Sequence, residues 1–169
     1  RLDVVLQESS NLIWLEQPAD LSEVWTARVI GSFYPDRMTG FRFADINQDG
    51  LDDLMAGSYS QAPRDHDGED VTRDGELGRI AWFEQPIDPT TEWIRHDISR
   101  RKRGMFDKFL ARDMDGDGDV DFIGTRGNSV PWDGVFWLEQ LRTAEPVKSF
   151  ERARDEDSVE MPLPSEPQG

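Results

Sequence analysis

The chain repeats itself, and that fact limits its fold more than any other. Three tryptophans sit in near-identical strings: Trp14 in IWLEQP, Trp82 in AWFEQP and Trp137 in FWLEQ. A further Trp follows the first two after 11 residues (Trp25, Trp93), and an Asp follows each of those after 20 (Asp45, Asp113). Each Asp opens a string of one kind, DINQDGLDD over 45–53 and DMDGDGDVD over 113–121. The opening RLDVVL overlays on LDDLMA and DVDFIG, which sets Asp3 opposite Asp53 and Asp121. The spacings 11, 20 and 8 are fixed, whereas the stretch from the last Asp of a string to the next Trp runs 11, 29 and 16 residues. A period of 55–68 residues marks a repeat architecture, in which each unit buries its apolar face against its neighbour.

Within the central period the apolar pattern predicts four short strands, about 41–45, 53–58, 79–85 and 93–98, separated by turns rich in Gly, Asp and Pro. The expected fold class is therefore all-β, with four antiparallel strands per repeat and a Trp on each of the third and fourth. That is the layout of a β-propeller blade. The chain holds a partial blade over 1–30, a full blade over 41–98 and a third blade over 107–150, whose fourth strand near Phe150 is a faint match. About 2.5–3 blades cannot close a ring that typically takes about four to eight. The expectation is a fragment of a longer protein, or a protomer whose ring is completed by other subunits. Residues 151–169, rich in Pro and Glu, read as an extended acidic tail.

Charge and composition exclude several functions. Thirty-five acidic against 19 basic residues give a formal charge of −16, which repels a nucleic-acid backbone. No apolar run reaches the roughly 18 residues that a membrane-spanning helix needs. The absence of cysteine removes disulfides, thiolate metal sites and a cysteine nucleophile, and two histidines, His66 and His96, leave little for a His-centred site.

The excess carboxylates are clustered. Asp45, Asn47, Asp49 and Asp53 take positions 1, 3, 5 and 9 of one string, with Gly50 at 6; Asp113, Asp115, Asp117 and Asp121 repeat this, with Gly118 at 6. Alternate residues of a tight loop point inward, so four oxygen-bearing side chains converge, and the carbonyl of position 7 (Leu51, Asp119) can add a fifth. Hard oxygens in a flexible cage suit Ca²⁺; Mg²⁺ demands a stricter octahedron. Two Ca²⁺ sites are expected, with a partial third at Asp3. An EF-hand does not fit: its position 12 needs Glu, and Ala56 and Gly124 stand there between strands rather than helices.

In these residues the sequence resembles the FG-GAP/VCBS-type calcium-binding β-propeller repeats, structural relatives of the integrin α-chain propeller. The resemblance covers about residues 1–140 and rests on FADINQDGLDDLMAG, ARDMDGDGDVDFIG and the WFEQP…WIRHDI pattern. It implies that the acidic loop joins strands one and two of a blade and holds Ca²⁺. The literal Phe-Gly and Gly-Ala-Pro strings are absent, so integrin-type ligand chemistry is not implied. Members of the family include adhesion modules, lectins and accessory domains of extracellular enzymes, and fold alone does not choose among them.

The long insertion over 59–78 falls on the opposite face, where loops on a rigid scaffold commonly carry binding. That face is expected to gather Phe33, Tyr34, Asp36 and Arg37 in one connector, Arg101 and Arg103 in the SRRKRG connector, His66 in the insertion, and Trp132. An exposed Trp beside Asp and Arg suits a sugar ring or a protein anchor. The repeated tryptophans are expected in the core between blades, and His96, at the place of Arg28 in the preceding repeat, is expected to be structural. The expected function is a calcium-stabilised, non-catalytic module for protein or polysaccharide recognition or assembly. Its expected location is extracellular, at the cell surface or periplasmic, because weak Ca²⁺ sites do not fill in a resting cytosol. The alternatives are part of a propeller-type polysaccharide-degrading enzyme, with His66 or an insertion acid as base, and a structural subunit whose partner completes the ring.

Overall fold

A computed structural model describes residues 2–61, 78–101, 103–128 and 133–142; the tail, the strand expected near Phe150, His66 and Trp132 lie outside the described residues. The described chain is all-β, without a helix and thus without one long and apolar enough to cross a membrane.

Three strands, β1 (Val4–Glu8), β2 (Asn11–Glu16) and β3 (Thr26–Ser32), form one antiparallel sheet in that order. Seven more form a second sheet. Its centre is an antiparallel meander of β4 (Arg37–Ala44), β5 (Asp53–Gln61), β6 (Gly78–Glu84) and β7 (Ile94–Arg101). Its end is β8 (Arg103–Arg112), β9 (Asp121–Gly127) and β10 (Gly134–Leu138), also antiparallel. The two parts are not separate sheets, because the far end of β5 pairs with the start of β8: Tyr59 opposite Met105, Ser60 opposite Gly104, Gln61 opposite Arg103. Neither sheet closes on itself.

This pairing corrects the reading of SRRKRG as a connector. Arg100 and Arg101 pair with Arg79 and Gly78, and Arg103 and Gly104 with β5, so all four lie in strands. Backbone partners on two sides satisfy amides that a propensity reading leaves to a loop. The four expected strands of the central repeat are present, and β4 begins at Arg37, four residues earlier than expected.

Side chains alternate faces along each strand, so both faces of the meander are buried. One face carries Phe41, Leu54, Ala56, Ala81 and Phe83, which pack with Val5, Leu12, Trp14 and Ile30 of the first sheet. The other carries Met55, Ile80 and Trp82, which pack with Phe106, Phe109, Phe122, Phe136 and Leu138 of β8–β10, the end of the same sheet. Close approach fixes Gly57: a Cβ there would land on the Phe106 carbonyl, where Thr39 Oγ1 also donates at 2.9 Å. Trp93 is 6% exposed, and its backbone N–H donates to the Ile30 carbonyl at 2.7 Å, tying the two sheets together. Trp14 and Trp82 are partly buried in the two cores, whereas Trp137, at the matching place on β10, is 38% exposed because no further described sheet covers it.

Two residues expected in a binding connector are core instead. Phe33 and Asp36 are fully buried. Asp36 accepts from Nε of the fully buried Arg79 at 2.7 Å, and Arg79 Nη1 donates to Asp97 at 3.0 Å. A guanidinium taken out of water needs carboxylates on it, and the connector folds inward to supply one.

Candidate metal centre

Both acidic strings form the same loop between the first and second strands of a unit, 45–53 between β4 and β5 and 113–121 between β8 and β9. Three hydrogen bonds recur in both loops. Position 1 accepts from the N–H of position 6 (Asp45 Oδ2 from Gly50 at 3.0 Å, Asp113 Oδ2 from Gly118 at 3.1 Å). Position 3 accepts from position 5 (Asn47 from Asp49 at 3.0 Å, Asp115 from Asp117 at 3.2 Å). Position 5 accepts from position 7 (Asp49 from Leu51 at 2.8 Å, Asp117 from Asp119 at 3.0 Å). These turns need the left-handed conformation at position 6, where Gly50 has φ +88° and Gly118 φ +95°. They need it again at position 4, where Gln48 has φ +63° and Gly116 φ +84°, a demand the sequence reading did not anticipate.

In the second loop one carboxylate oxygen each from Asp113, Asp115 and Asp117 lies within 4.8 Å of the others, and all three residues are exposed. Oxygens bound at 2.3–2.6 Å to one Ca²⁺ are at most about 4.6–5.2 Å apart, so this spread suits ligands of a single ion. Without a cation, each pair of charges at that separation costs about 1 kcal/mol in bulk water and about 3–4 kcal/mol at an effective dielectric of 20. The cluster can hold a metal ion. The first loop has the same backbone with Asn47 in place of the second carboxylate, and Asn47 Nδ2 donates to Asp49 Oδ2 at 3.0 Å.

The carboxylates at position 9 lie outside this trio and are engaged by the backbone. Asp53 is fully buried; Oδ2 accepts from Ile46 and Asn47 at 3.1 and 3.3 Å, and Oδ1 from Gln85 at 2.9 Å. Asp121, 1% exposed, accepts from Met114 and Gln140, both at 2.9 Å. Asp3 accepts from Gln17 at 2.9 Å. One contact therefore recurs in all three repeats: the Gln amide of the WLEQ-type string grips the last Asp of the loop. The repeated EQ was the visible signal for it. Burial pushes the Asp53 carboxyl above its usual range, against the three amides that favour its charged form. Burial likewise raises Asp119, as do the Asp117 and Asp121 carboxylates, with Arg142 opposing.

The loops touch each other. Gln48 Nε2 donates to the Gly118 carbonyl at 2.9 Å, and the Ile46 carbonyl accepts from Gln140 Nε2 at 2.9 Å and from Arg142 Nη2 at 3.2 Å. Between them opens a cleft of about 510 Å³ lined by Gln48, Asp117, Gly118, Asp119, Leu141 and Arg142. Asp119 is buried beside Arg142, with Oδ2 3.7 Å from Nε.

The remaining candidate ligand residues sit elsewhere. Tyr34 (78% exposed) and Arg37 precede and open β4, Arg101 ends β7 and Arg103 opens β8, all at the end of the central sheet away from the acidic loops. His96 stacks on Trp82 with ring centroids 4.3 Å apart and places Nε2 2.8 Å from Glu84 Oε2. Arg28 makes the matching contact with Glu16 at 3.4 Å, so the position serves cross-strand pairing. The sequence reading also passed over Asp20 and Asp88, each five residues before a repeated Trp. Asp20 accepts from the Ser22 amide and hydroxyl, Asp88 from those of Thr90.

No protein-family model matches this chain, and neither does any curated protein or solved structure.

Proposed function

We propose that the chain is a calcium-stapled β-propeller module, non-catalytic, that serves protein or glycan recognition or assembly outside the cytoplasm. The observation that carries this reading is the duplicated loop: two nine-residue strings that share three hydrogen bonds at the same strand junction, one of them with three carboxylates inside 4.8 Å. A solvated turn has no need to repeat so closely or to crowd like charges. Ca²⁺ is the ion assigned, held by Asp113, Asp115 and Asp117 in the second loop and by Asp45, Asn47 and Asp49 in the first. The position 7 carbonyls of Leu51 and Asp119 and the pinned Asp53 and Asp121 complete the cages. The blade reading is supported by the four-strand meander and by the two face-to-face cores on either side of it.

The metal's role in this reading is structural. Each loop fixes nine residues between two inner strands, and bound Ca²⁺ cancels the repulsion that opposes that arrangement. Extracellular modules commonly bind Ca²⁺ at about 10⁻⁴–10⁻³ M, so this reading goes with a compartment where calcium is in the millimolar range. At 100 times the dissociation constant each site adds about 2.7 kcal/mol to folding. Calorimetric titration with Ca²⁺ tests the assignment. Two sites are expected in the wild-type chain and one in Asp117→Ala; no heat of binding, or equal affinity for Mg²⁺, would overturn it.

A further inference from the structure

The first acidic loop carries an amide where the second carries a carboxylate, and an amide serves a metal ion through one end only. Asp115, at position 3 of the second loop, offers an oxygen on each arm of its side chain. Asn47, at position 3 of the first, offers one oxygen; its Nδ2 is a donor and has no lone pair free for a cation. Whatever holds the Asn47 amide the right way round therefore decides whether position 3 of this loop can ligate.

The contacts leave the amide one orientation. Asn47 Oδ1 accepts from the Asp49 amide at 3.0 Å, while Nδ2 donates to Asp49 Oδ2 at 3.0 Å and to Glu84 Oε1 at 3.5 Å. Turned over, it would set its oxygen against two carboxylates. Asp49 is itself assigned as a ligand, and once its Oδ2 turns to an ion, Glu84 is the acceptor that remains on Nδ2. Glu84 ends β6, and the next residue, Gln85, gives its backbone amide to Asp53 Oδ1 at 2.9 Å. Two consecutive residues of the WFEQP string thus reach the same loop, at positions 3 and 9. Glu84 is held in its turn: Oε2 lies 2.8 Å from His96 Nε2, and that ring stacks on Trp82 with planes 17° apart. The other repeats use this place differently. Glu16 pairs with Arg28 at 3.4 Å, and Glu139, in the repeat whose loop has Asp at position 3, is exposed.

We propose that Glu84, braced by His96, is a positioning residue for the first loop: from outside the loop it fixes the Asn47 amide with Oδ1 free to ligate. The inference rests on the calcium reading of the loops given above. It assigns a task to the Glu of one repeated string and to the histidine that stands where the preceding repeat has Arg28. Residues that orient a metal ligand without touching the metal typically account for about 10–100-fold in affinity.

Two variants isolate the loops for the test: Asp117→Ala leaves the first site and Asp49→Ala the second. Each is titrated calorimetrically with Ca²⁺, with and without Glu84→Leu, and thermal midpoints in chelator confirm that every chain folds. Glu84→Leu is expected to weaken binding about ten-fold or more in the Asp117→Ala chain and less than about two-fold in the Asp49→Ala chain. Adding Asn47→Asp to the Asp117→Ala chain should remove the dependence, because a carboxylate has no wrong way round; Glu84→Leu is then expected to leave binding undiminished. A merely structural Glu84 would cost the same in both backgrounds, and equal losses there would overturn the proposal. So would unchanged affinity in the Asp117→Ala chain. If neither single-site chain takes up Ca²⁺, the calcium reading itself falls and the inference with it.

Discussion

Asp3, Asp53 and Asp121 occupy one repeat position and differ in how much backbone they hold, so their replacement gives a graded test of what holds the loops. Asp53 is fully buried and accepts three amides; Asp121 accepts two; Asp3 is exposed and accepts one. A buried donor left without an acceptor costs about 1–3 kcal/mol. The burial that raises the Asp53 carboxyl offsets part of what its charge contributes. Asp53→Ala should therefore lose about 3–5 kcal/mol, Asp121→Ala about 2–4, and Asp3→Ala no more than about 1. The first is a large share of the 5–15 kcal/mol that holds a typical domain together. Equilibrium urea unfolding in excess chelator measures these losses without any contribution from bound metal, and an unchanged slope confirms that the two-state comparison holds. Equal losses at the three positions would refute the pinning argument. Losses that appear only with Ca²⁺ present would show that the position 9 carboxylates act through the ion and not through the amides.

Further outcomes follow from the same contacts. The links between loops, Gln48 to Gly118 and Gln140 to Ile46, should couple the two proposed metal sites: Asp117→Ala is expected to weaken Ca²⁺ binding at the first loop by about five-fold or more, and Gln48→Ala combined with Gln140→Leu to shrink that effect, as read by two-site titration. Removing Asp36 leaves the buried Arg79 with Asp97 alone, so Asp36→Ala should cost about 3–5 kcal/mol by urea unfolding, and a loss under 1 kcal/mol would contradict the buried pairing. The pH dependence in chelator should have two parts. Asp53 titrates in the folded state above its ordinary value of 3.8, so its contribution to stability rises as pH falls through the raised value toward 3.8. Asp88 and Asp20 are lowered by the hydroxyls and amides of Thr90 and Ser22, so their contribution is present above 3.8 and is lost as pH falls through their folded values. Unfolding across a pH series should show the first part vanish in Asp53→Asn and the second shrink in Asp88→Ala.

Much of this was legible in the chain, and the limits are physical. Strand alternation, the matched Trp spacings and the Gly at position 6 each act within a few residues, so Asp53–Gln61 and the two acidic loops could be read directly. What was hidden depends on partners far along the chain. Arg100, Arg101 and Arg103 lie in strands because Arg79, Gly78 and Gln61 supply their ladder, and nothing in RRKR itself announces that. Asp36 is core because Arg79, forty-three residues on, is buried with it. The position 9 Asp reads as one more ligand in its own string, and its second role, holding the backbone amide of the following EQ, shows only in the fold. Sequence alone could also place Tyr34 and Arg37 at a connector but could not separate them from Phe33 and Asp36, their buried neighbours.

The central claim is that the two acidic loops are calcium staples, and thermal unfolding tests it most directly. With Ca²⁺ at about 100 times its dissociation constant, two sites should add roughly 5 kcal/mol, a rise in midpoint of roughly 10–20 °C over the chelated protein. Asp117→Ala should retain about a third of that rise, since its first loop binds about five-fold more weakly. A midpoint that does not move with Ca²⁺, or that moves equally in Asp117→Ala, would contradict the account.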